Sequence, residues 1–132
     1  MSNRLARITA FISLFFVMAA GLHASAFADS WIEASSAKLQ TLDKITARIS
    51  ALDVALNNPE RFGTLEITVQ RCAYRPPEEP PENAAFLTVR DVGHDTSLAP
   101  VQVFQGWVFS TSPAISGLEH AVYDVTLIAC NR

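Results

Sequence analysis

Residues Thr64–Cys72, TLEITVQRC, decide the class of fold. Leu65, Ile67 and Val69 alternate with Thr64, Glu66, Thr68 and Gln70. This period of two, rich in β-branched residues, predicts a half-buried strand. Gly63 permits a tight entry into it. Continued at the same period, Cys72 falls on the polar face, away from the apolar row.

Three later segments read the same way. Ala85–Val89 (AFLTV) is a second strand. Val101–Phe109 (VQVFQGWVF) is a third, with Gly106 expected at a bulge or a close backbone approach. Val122–Cys130 (VYDVTLIAC) is a fourth, in which Tyr123, Val125, Leu127 and Ala129 share a face. Cys130 then falls with Asp124, Thr126 and Ile128. Both cysteines are therefore expected on polar faces of strands that lie close. Their bridge would sit outside the main core, and its reduction would loosen the sheet rather than empty its centre. Ser112 before Pro113 has the form of a helix N-cap followed by proline, and Gly117 soon interrupts it. That predicts one helical turn or a structured loop.

The N-terminus sets the compartment. Arg4 and Arg7 precede an uncharged run from Ile8 to Leu22, and Ala26-Phe27-Ala28 follows as a small-x-small site. This is the pattern of a secretory signal peptide over residues 1–28, cleaved between Ala28 and Asp29. The alternative is an uncleaved N-terminal anchor, for which the run is shorter than the ~20 apolar residues a spanning helix needs; after cleavage no membrane span is expected. The remaining 104 residues make one domain. Loss of two arginines takes the net charge from −3 to −5. With no basic stripe, such a chain has no electrostatic reason to hold nucleic acid. In an exported chain, Cys72 and Cys130 read as a disulfide. Closing so long a loop contributes about 4 kcal/mol in the chain-entropy account.

No catalytic set emerges. Ser35-Ser36-Ala37-Lys38 formally matches S-x-x-K, but S-D-N and K-T-G are absent. His94 lies between Asp91 and Asp95, and His120 lies between Glu119 and Asp124. A zinc enzyme would need both histidines to converge with a third ligand. The alternative for His120 is a loop histidine hydrogen-bonded where the chain enters the last strand. Residues 71–86, RCAYRPPEEPPENAAF, contain a P-x-x-P tetrapeptide and three glutamates. They read as a strand end followed by a stiff acidic connector. No cofactor, metal or phosphate-binding pattern is present. The aromatic residues Trp107 and Phe109, followed by Ser112, Pro113, Glu119 and His120, are the candidate partner surface.

Residues 38–56 are ambiguous. Leu39, Leu42, Ile45, Ile49, Leu52 and Leu56 fit a helical stripe, whereas Ile45, Ala47, Ile49 and Ala51 alternate. Pattern alone leans to helix. The phrases LDKITAR, FGTLEITVQRCAYRPPEEPPENAAFL and FQGWVFSTSPAISGLEHAVYDVTLIAC resemble the DUF2155 family of small exported bacterial proteins. The resemblance runs from Leu42 to Cys130. The chain departs from it at Ala121, where proline is usual, and at LNNPE, where relatives have a Val-Gly turn. The resemblance implies a strand over Ile45–Ala55 in a hairpin with Thr64–Cys72; a short helix before it, around Ser36–Leu42, stays open. It also implies cysteines at the positions of Cys72 and Cys130, no known catalytic residue, and gene neighbourhood with an accessory subunit of respiratory complex I.

The resulting expectation is a signal peptide (1–28), a lead-in (29–41) and a DUF2155-like domain (42–132). The domain should be a small, mainly β, antiparallel sandwich or barrel with one disulfide. Its expected role is that of a non-catalytic periplasmic accessory or protein-binding module with an unknown envelope partner. The alternatives are an assembly factor for a respiratory or other envelope complex, and a metal-dependent periplasmic enzyme.

Overall fold

Every regular element in the computed structural model is a strand, among the described residues 30–95, 97–114, 117–118 and 120–132. Residues 1–29, including the expected signal peptide and its cleavage point, lie outside them. The strands are β1 (Ile32–Glu33), β2 (Ser36–Asp43), β3 (Arg48–Ala55), β4 (Glu60–Phe62), β5 (Leu65–Tyr74), β6 (Asn83–Asp91), β7 (Val101–Phe109) and β8 (Tyr123–Asn131). They form two antiparallel sheets. The larger has the order β1-β5-β6-β7, with β4 also on β5, and the smaller has the order β3-β2-β8.

The alternation in β5 works as its sequence demands. Leu65, Ile67 and Val69 are fully buried, and so is Val89 on β6, with Leu87 nearly so. Leu39, Val54, Val125 and Leu127 meet them from the smaller sheet. Burying each such side chain is worth roughly 1.5–3 kcal/mol. The four strands predicted from period-two patterns are all present, within two residues at each end except for β5, which runs past Gln70 to Tyr74.

Two expectations for the first half are overturned. Ser36–Leu42 is not helical but forms most of β2, the central strand of the smaller sheet. Ala37, Leu39 and Thr41 point inward, and the Thr41 hydroxyl is satisfied by donating to the Ser50 carbonyl at 3.1 Å. β3 begins at Arg48 rather than Ile45, and its hairpin partner is β2, not β5. The turn is made by Asp43, whose Oδ1 accepts from the backbone N–H groups of Ile45 (2.9 Å) and Thr46 (3.1 Å). Ala47 takes the positive φ of 54° that closes it. The hairpin into β5 is made instead by β4, through Gly63. Between β3 and β4 the chain crosses from one sheet to the other. There the Leu56 N–H donates to the Ser35 carbonyl and the Asn57 N–H to the Val69 carbonyl, at 3.0 and 2.8 Å.

The expected bridge on the outer face is also overturned. Cys72 and Cys130 are bonded, with Cα atoms 5.6 Å apart. Cys72 is fully buried and Cys130 nearly so, and they link β5 of one sheet to β8 of the other. A β-bulge precedes each cysteine. Gln70 is the extra residue between Val69 (opposite Leu87) and Arg71 (opposite Phe86). Ile128 is the extra residue between Leu127 (opposite Leu39) and Ala129 (opposite Lys38). One extra residue reverses the facing of everything after it, so both cysteines turn into the core. The Gln70 carboxamide braces its bulge. Its nitrogen donates to the carbonyls of Thr68 (3.2 Å) and Phe86 (2.9 Å), and its oxygen accepts from Thr88 Oγ1 (2.8 Å). Gly106 is not at a bulge but pairs in register with Leu87; the bulge of β7 falls at Val103. Thr111 and residues 113–114 form turns rather than a helical turn.

Candidate functional site

The reversal at Gln70 also builds the outer face of the larger sheet. It turns Arg71 and Ala73 outward, beside Phe86 and Ala84 of β6 and Trp107 and Phe109 of β7. Two cross-strand rungs result. One runs Arg71, Phe86, Trp107; the other runs Glu33, Ala73, Ala84, Phe109. The small side chains of Ala73 and Ala84 make a floor, and larger groups stand around it. The hollow is about 340 Å³ and is lined by Trp31, Glu33, Arg71, Trp107 and Phe109 over the two alanines. Its lining is mainly apolar, as ligand and side-chain pockets are.

Each wall is held. The Trp107 ring meets the edge of Phe86 at 5.4 Å, yet 42% of Trp107 stays exposed. The Arg75 guanidinium lies 4.5 Å over the Trp31 ring and bonds Glu79 Oε2 at 2.8 Å. Arg71 pairs with Glu33 at the exposed rim, where an ion pair adds little stability but fixes both stems. At the same end of the sheet, Arg75 N–H donates to the Glu82 carbonyl (2.9 Å) and closes the proline-rich loop. The Glu82 carboxylate accepts from Asn83 N–H, Ser110 Oγ, Thr111 N–H and Thr111 Oγ1. Partial burial raises its pKa, but these donors outweigh burial and hold it below the ordinary value. The prolines and glutamates are thus a tied connector between β5 and β6.

Of the six residues proposed from sequence, the five described do not share one surface. Trp107 and Phe109 line the aromatic hollow. Pro113 lines a separate hollow of about 420 Å³ with Leu118, Asp124, Val125 and Thr126, and Ser112 is half-buried beside it in the chain. Glu119 lies outside the described residues. His120 belongs to a polar seam between β6 and β8. The residues that sequence reasoning missed are Trp31, Ala73 and Ala84, whose shared face depends on the bulge at Gln70 and on β1.

The seam explains His120. Its Nδ1 accepts from the N–H groups of Val122 (3.1 Å) and Tyr123 (3.2 Å), and its Nε2 lies 3.4 Å from Asp91 Oδ2. Two donors on Nδ1 require that the proton sit on Nε2 and be shared with Asp91. The ring stacks on Tyr123 with centroids 5.3 Å apart. Gly93 N–H, Thr64 and His120 together hold the Asp91 carboxyl below its ordinary value, against a smaller effect of burial. With both nitrogens engaged, His120 has no lone pair left for a metal or a substrate proton. It is the hydrogen-bonded loop histidine at the entry to the last strand. His94 is exposed. Among the described residues no group of three or more His, Cys, Asp or Glu is placed to hold a metal ion, and no helix is long and apolar enough to cross a membrane.

An uncharacterized protein of Rickettsia prowazekii (strain Madrid E), RP359, is 26% identical over 96 residues, covering 73% of this chain. The chain spans 61% of that relative's length. No solved structure matches the chain. The profile of DUF2155, described as an uncharacterized protein conserved in bacteria, matches residues 37–130, from the central strand of the smaller sheet to the second bridged cysteine. By that match, the chain belongs to the DUF2155 family.

Proposed function

We propose that this domain is a non-catalytic, protein-binding accessory module of the periplasm that grips its partner through the outer face around Trp107. The observation that carries this reading is the half-exposed indole of Trp107 standing over an alanine floor that is itself already buried. A large, rigid aromatic beside an apolar hollow supplies the anchor that binding interfaces concentrate their energy on. The disulfide agrees with an oxidising compartment. The occupied nitrogens of His120 remove the best-placed general base.

The test is crosslinked affinity capture from envelope extracts with the mature chain and with its Trp107→Ala variant. Both must first show the same circular dichroism and urea midpoint. The expected result is a specific crosslinked protein recovered by the parent and lost with the variant. Equal recovery by two folded proteins would remove Trp107 from the contact. N-terminal sequencing of the exported chain should begin at Asp29.

A further inference from the structure

We infer that the edge of β7, at Gln105 and Trp107, receives an extended segment of another polypeptide as an added strand. This rests on the reading of the Trp107 face as a binding surface and states how that surface is engaged.

The edges of the two sheets are not alike. β1 has two residues, and β4 has three, of which Glu60 and Arg61 are charged. β3 carries Arg48 and Asp53. β8 carries Asp124, has the bulge at Ile128, and runs beside Pro113, Ala114, Gly117 and Leu118. Short length, charge, bulges and covering loops are the devices that keep a sheet edge from pairing. β7 is nine residues long and contains no charge and no proline. Its bulge at Val103 leaves Phe104–Phe109 regular.

The backbone of that stretch faces the right way. Ser110 N–H donates to the Asn83 carbonyl at 3.0 Å, which makes that pair a hydrogen-bonded one. In an antiparallel ladder such pairs alternate. Counting along the register, Val108 and Gly106 exchange bonds with β6, while Gln105 and Trp107 point their N–H and C=O groups away from it. Among the described residues no strand or loop pairs with those groups of Gln105 and Trp107. A row of donors and acceptors at this spacing is complementary to an extended backbone. Side chains of an added strand opposite Gln105 and Trp107 would lie on the outer face, against the exposed indole.

A second copy of this chain fits less well. Two β7 edges about a twofold axis would bury a strip about 20 Å long and one strand deep. That falls short of the ~1,000 Å² a stable interface clears. A flexible segment can also lay apolar side chains over Trp107 and into the 340 Å³ hollow. Glu78, exposed on the loop joining β5 and β6, favours a segment with a basic residue toward that end.

The test uses the mature chain and a displayed library of random ten-residue peptides, followed by synthesis of the selected sequences. The expected binders carry alternate apolar residues and slow hydrogen exchange at the amides of Gln105 and Trp107. N-methylation of every second peptide amide in one phase should weaken binding at least about tenfold, and in the other phase should not. Gln105→Pro should weaken it similarly, because the amide it removes points away from β6. If that variant does not fold, N-methylation and exchange decide alone. Binding lost in Trp107→Ala but indifferent to N-methylation and Gln105→Pro would overturn strand addition and leave the Trp107 surface standing. Indifference to all of these would overturn both. No binder tighter than about 100 µM, or self-association of the chain abolished by Gln105→Pro, would overturn the proposed occupant.

Discussion

Gln70 and Ile128 hold equivalent places on different sheets: each is the extra residue of a bulge, two positions before a bridged cysteine. The pair of bulges converts two strand faces that read as polar into the two sides of one buried crosslink. The same reversal at Gln70 turns Arg71 and Ala73 outward and so floors the aromatic hollow. Core closure and candidate binding surface therefore depend on one bulge.

Deleting Gln70 tests whether it is the extra residue. Without it the strand alternates regularly, Val69 inward, Arg71 outward and Cys72 inward, so Cys72 keeps its place opposite Ala85. The expected protein keeps its disulfide and shows no titratable thiol under native conditions; two free thiols would mean that the reversal does not lie at Gln70. Gln70→Ala is the milder change. It leaves the bulge but orphans the carbonyls of Thr68 and Phe86, and should cost about 1–3 kcal/mol in urea unfolding with the disulfide intact.

Replacing both cysteines by alanine separates a buried bridge from a surface one. The crosslink spans 58 positions, and its loss should lower stability by about 4 kcal/mol in the chain-entropy account. Because Cys72 is fully buried, the double serine variant should be less stable still, since each hydroxyl needs a partner in the core. A bridge on the outer face would make the alanine and serine variants equal. Chemical denaturation of the two variants distinguishes these outcomes.

Much of the larger sheet was legible, because TLEITVQ, AFLTV and VQVFQGWVF each carry one clear period. The cysteine pairing was legible from their number and the expected export of the chain. The cysteines' position was not, because a bulge changes parity without changing composition. Residues 36–55 were misread for a different reason. They satisfy helical and strand periods together, and the turn between β2 and β3 has no glycine. Its positive φ falls on Ala47, and its bonds come from Asp43. Ile45 and Ile49, which looked like core in either pattern, are 77% and 63% exposed. The aromatic hollow joins residues as far apart as Trp31 and Phe109, so only pairing could reveal it.

The seam around His120 predicts a pH signature at Asp91. The carboxyl is held below its ordinary 3.8 first by the Gly93 N–H, then by Thr64 and His120, so the folded state binds its proton less readily than the unfolded one. The stabilisation is present above the ordinary value and is lost as pH falls through the folded one. The stability difference between the parent and Asp91→Asn should be constant above about pH 5 and shrink below about pH 4. Urea midpoints across that range read it, and a difference unchanged to about pH 3 would remove Asp91 from the seam. His120→Ala should cost about 1–3 kcal/mol at neutral pH, since the N–H groups of Val122 and Tyr123 lose their acceptor.

Gly63 joins the short β4 to β5 at a φ of +58°, a conformation that side chains other than glycine's rarely adopt. The Tyr123 ring occupies the space beside it. A Cβ at Gly63 would fall 2.5 Å from Tyr123 Cζ and closer still to its hydroxyl oxygen. Tyr123 cannot swing away without leaving Phe62, whose ring it meets edge-on at 5.3 Å, and the stacked ring of His120. Gly63→Ala should therefore combine about 1 kcal/mol of backbone strain with about 1–3 kcal/mol of overpacking. Gly63→Ala in a Tyr123→Leu background should show only the backbone part, because the clashing atoms are gone. A double-mutant cycle by urea unfolding gives the coupling directly, and a coupling near zero would mean that the tyrosine does not press on this turn.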